Sequence, residues 1–180
     1  MATTWTNHNH DLAIAHTDVR GVITLGLSAA LPMAGYFAAD MLGDAMGVMP
    51  VVTPPMGLPE WTVAAAMMLT LPMWGVARWL VGQRGPAGRS ASRWIVALIA
   101  GVILLPFALS VANPLMMGLL PMLVLLTGVV AAMRASALSG GAALLLAPGL
   151  LWFGLGSLIG FTTLAGGWSP PFALVDHNKH

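Results

Sequence analysis

The chain reads as an all-α, polytopic integral membrane protein of about five transmembrane helices, several of them proline-kinked. Three observations predict this. Hydrophobic residues make up 58% of the 180, charged residues only 7%, and the mean hydropathy is +0.85, whereas about a quarter of an ordinary soluble domain is charged. The apolar residues fall in five stretches, each long enough to cross a hydrocarbon layer of roughly 30 Å at about 1.5 Å per residue. The breaks between stretches collect the prolines, arginines and polar residues.

Taken in order, residues 1–19 form a polar amino-terminal segment with no positive charge before Arg20, so they lack the basic start of a secretory signal and the next stretch is expected to be retained. The first span is read over 21–42. Residues 43–60 carry Pro50, Pro54, Pro55 and Pro59, a density that no helix interior accepts, and form a long loop. The second span covers 61–82 and is followed by GQRGPAGRSASR over 82–93, read as a basic turn. Spans at 94–112, 115–133 and 142–166 complete the set, separated by Asn113-Pro114 and by the polar break 136–141. The transmembrane domain is thus 20–166, and 167–180 is a polar carboxyl-terminal tail.

Arginine placement sets the expected orientation, because basic residues near span ends are retained on the cytoplasmic side. Arg20 precedes span one, Arg84, Arg89 and Arg93 lie between spans two and three, and Arg134 lies between four and five. The amino terminus is therefore expected in the cytoplasm and the carboxyl terminus outside. Trp61, Trp79, Trp94 and Trp168 fall near span ends, at the headgroup level that suits their amphipathic rings, while Tyr36 and Trp74 sit deeper. Six arginines against one lysine, with abundant Ala, Gly, Pro and Leu, fit a bacterial protein. The expected location is the bacterial inner membrane.

Leu-Pro recurs inside four spans, at Pro32, Pro72, Pro106 and Pro121, and Pro148 adds a proline to the fifth. Each removes an amide donor and frees a carbonyl four residues earlier, at Ser28, Met68, Val102, Met117 and Leu144. In transporters such carbonyls coordinate ions; in other membrane helices neighbouring groups absorb the defect. Small residues carry a packing message. Gly26, Ala30, Ala34 and Ala38 recur at every fourth position, and Gly156 and Gly160 make a GxxxG, ridges of the kind that let membrane helices approach closely.

Candidate chemistry is sparse. His8, His10 and His16 lie near Asp11 and Asp18, and His177 and His180 flank the carboxyl end beside Asp176. Imidazoles and carboxylates in such proximity can bind zinc, copper or nickel, but the expected topology puts the two histidine groups on opposite sides of the membrane. Asp40, Asp44 and Glu60 would form an acidic mouth attracting cations on the outer side. Arg78 lies a turn inside the cytoplasmic end of span two, where its stem reaches the headgroups and Trp74 is placed to stack on it. No span holds a histidine, which excludes a bis-histidine haem, and none holds a visible catalytic base or buried ion pair. No cofactor is named by these residues. A net charge of +1 with no basic stripe argues against nucleic acid, and the absence of cysteine excludes disulfides and thiolate chemistry.

The expected partners are membrane lipid and other membrane-protein subunits. The expected role is a non-catalytic structural or accessory subunit of a larger inner-membrane complex, with a small permease or channel, for instance for a metal cation, as the alternative.

Overall fold

The computed structural model describes residues 19–50, 54 and 57–166, and these residues are helical with no strand among them. Five helices follow one another: α1 (Val19–Met46), α2 (Trp61–Gly82), α3 (Gly85–Ser110), α4 (Pro114–Ser136) and α5 (Gly140–Gly166). All five are long and apolar enough to cross a membrane. The described residues are thus all-helical, and five helices of this length and apolarity suggest a multi-pass membrane protein. The histidines of the two termini lie outside the described residues.

Local chemistry explains the helix ends. α1 stops in a Schellman motif: the Val48 amide donates to the Gly43 carbonyl at 2.9 Å and the Gly47 amide to Asp44 at 3.1 Å, with Gly47 in the left-handed conformation at φ 69°. α4 starts at Asn113, whose Oδ1 accepts from the Met116 amide at 2.9 Å, with Pro114 at the first helical position, where no donor is needed. Each helix runs on through its internal proline.

The segment 82–93 is not the basic turn expected of it. Only Gln83 and Arg84 link the helices, Gly85 turns the chain at φ 68°, and Pro86 opens α3 two turns before the apolar stretch begins. Its Gly, Pro and Ser residues suggested a loop, but proline in the first turn favours a helix start, and the alanines and arginines that follow propagate it well. The break at 136–141 is shorter too, reduced to residues 137–139, with the Ser139 hydroxyl accepting from the Ala142 amide at 3.3 Å.

Contacts between glycines and facing side chains give the register. On α1 and α2, Gly75 meets Ser28, and Trp79 meets Thr24; numbers rise on one helix as they fall on the other, so the pair is antiparallel. The same holds for α3 and α4 (Gly101 with Val124, Ser90 with Arg134), for α4 and α5 (Gly128 with Leu150, Gly154 with Leu125), and for α2 and α3 across their tight hairpin (Gly88 with Val81). α5 returns to pack on α2, where Gly149 and Phe153 meet Trp74. Helices α2 to α5 therefore close an antiparallel four-helix ring. α1 lies outside it, mainly on α2 and secondarily on α3, running parallel to α3 as Gly35 meets Ile103 and Gly43 meets Phe107.

The core sits within the ring. Leu71, Trp74, Ala77 and Val81 of α2, Ile95, Leu98 and Val102 of α3, Ala131 and Ala135 of α4, and Ala142 and Leu146 of α5 are all at most 1% exposed.

Candidate functional site

Glycine makes the tightest contacts in the bundle. The Ser28 carbonyl, which Pro32 deprives of its amide donor, lies where a side chain on Gly75 would stand. Only the hydrogens of a glycine Cα allow that approach, and they offer the carbonyl a weak donor in place of the missing amide. Across the ring, the indole of Trp74 occupies the corresponding space at Gly149, and its ring lies 6.4 Å from that of Phe153 at 44°. Phe107 fills the space at Gly43, and Leu150 that at Gly128.

Polar groups inside the bundle are few. Among the described residues, Thr70, Ser139 and Ser157 are the buried polar side chains. Thr70 donates to the Ala66 carbonyl of its own helix at 2.7 Å, while the Trp74 indole N–H and the Ser157 hydroxyl are buried without a hydrogen-bond partner. Trp74 lies on the seam between α2 and α5, and Ser157 belongs to α5. No ionisable side chain reaches the core, and no group of three potential metal ligands converges among the described residues. Of the residues whose carbonyls the prolines free, Val102 is in the core, Ser28 faces α2, Met117 is half-buried, and Met68 and Leu144 are exposed. Trp74 packs on α5 rather than stacking on Arg78, because Phe153 and Gly149 take up its ring.

The two charged ends are well separated. The antiparallel register brings Arg78 and Arg84 of the α2 end, Arg89 and Arg93 of α3, Arg134 of α4 and Arg20 of α1 to one end of the bundle. There Arg134 Nη1 donates to Ser90 Oγ at 3.4 Å and Trp79 Nε1 donates to Thr24 Oγ1 at 3.2 Å. Asp40 and Asp44 of α1 and Glu60, which precedes α2, are exposed at the opposite end. Glu60 makes no side-chain cap to α2.

Among the described residues, the sequence-predicted ridges point away from the other helices. Gly26, Ala30, Ala34 and Ala38 are all exposed, opposite the α1 face that meets α2. A side chain on Gly26, Gly156 or Gly160 would meet nothing within 4 Å. The glycines that do bring helices together, Gly75, Gly128 and Gly149, escaped the sequence reading: Gly75 and Gly149 belong to no four-residue repeat of small residues, and the repeat Gly128, Ala132, Ser136 was passed over. Two clues were available: Gly75 follows the deepest tryptophan, and Gly149 follows the proline of α5.

No protein-family model, curated protein or solved structure matches this chain.

Proposed function

We propose that this chain is a non-catalytic structural or accessory subunit of a larger bacterial inner-membrane complex, packing its outer helix faces against partner subunits. The observation that carries this reading is the outward direction of both small-residue ridges, on α1 and on α5. Ridges of this kind are worth having where a second helix approaches closely, and among the described residues no other helix approaches either of them. The apolar ring interior, with no buried ionisable group among the described residues, supports the same reading. It weighs against the alternative of a cation permease. The bends expected at the five prolines would shape the outer faces rather than open a path through the ring.

The orientation that goes with this reading puts the arginine end in the cytoplasm. Single cysteines at Gln83 and Met49, both exposed and at opposite ends, test it in intact cells, since the chain has no native cysteine. An impermeant thiol reagent should label Met49→Cys and spare Gln83→Cys; the reverse pattern inverts the orientation.

The subunit reading is tested by purification from native membranes in mild detergent. The parent should elute with other membrane proteins at fixed stoichiometry, and Gly156→Leu or Ala34→Leu should release it from them while leaving it folded. Elution of the parent as a single chain, together with cation flux into proteoliposomes containing this chain alone, would replace the subunit by the permease.

A further inference from the structure

We draw no further inference here: the strongest candidate, the acidic end of the ring, where the apolar side chains Val63, Leu109, Met117 and Leu120 are only half-buried and α5 carries the buried, unpartnered Ser157 hydroxyl, is an apolar face, and nothing in the structure shows what covers it.

Discussion

The small residues along the outer line of α1 and the glycines of the α1–α2 and α2–α5 contacts have the same chemistry and opposite fates. On α1, Gly26, Ala30, Ala34 and Ala38 form a regular line and are exposed. At the two contacts, Gly75 and Gly149 belong to no such line, yet each is closed against a neighbour, one by the Ser28 carbonyl of α1 and the other by the Trp74 indole of α2. α1 as a whole shows the same difference: 6% of its most apolar window is buried, against 33% for α2. Spacing identifies where a helix is able to come close. What a neighbour has to insert, here a freed carbonyl and an indole, decides where one does.

Three perturbations would break or sharpen this contrast. The largest effect is expected at Trp74, the biggest fully buried side chain: Trp74→Ala should cost about 3–5 kcal/mol of stability in a denaturant titration in micelles. Trp74→Phe should cost less than half of that, because it removes an unpaired buried N–H together with the lost bulk. If Phe proves as costly as Ala, the indole N–H has a partner that the bundle conceals. Next comes Gly75→Ala, which puts a methyl group where the Ser28 carbonyl lies. Overpacking against backbone should cost about 1–3 kcal/mol, and cross-linking between cysteines at Thr24 and Trp79 should fall as α1 moves off α2. An unchanged cross-linking yield would mean that the contact is not close. The smallest effects belong to Gly26→Leu and Gly156→Leu, which enter open space and should shift the stability of the isolated chain by no more than about 0.5 kcal/mol. A large loss at either position in the isolated chain would show that the ridge packs within the subunit.

Much of the fold was legible because a membrane demands length and apolarity in every span. The α2 bounds were readable to the residue from Glu60 before it and the polar turn after it, and all five prolines lie inside helices where they were placed. The start of α3 was not readable, since an apolar-span criterion begins at Trp94 and ignores two helical turns that project beyond it, carrying Arg89 and Arg93. Nor was the helix arrangement. Placing α1 outside the ring rests on Gly75 and Trp74 facing different neighbours from α2, and a one-dimensional pattern in a uniformly apolar helix does not mark which face meets which neighbour. For the candidate sites, the opposed charges at the two ends were foreseeable from Arg and Asp/Glu positions. The orphaned N–H of Trp74 depends on contacts between residues 75 positions apart.

That last separation also has a consequence in time. α2 is synthesised before α5, and at about 5–20 residues per second Gly149 follows Trp74 out of the ribosome by roughly 4–15 s. Throughout that interval the indole has no glycine to receive it, and the α2 face that will become the centre of the ring is open to lipid or to whatever escorts nascent helices. Closure thus waits for α5, and a chain halted after α4 should be a different object from one that carries α5. With Trp74 as the sole tryptophan, brominated lipid should quench its fluorescence in a chain ending at Ser136 and leave it bright in the full-length protein; equal quenching in both would mean that the ring never closes around it.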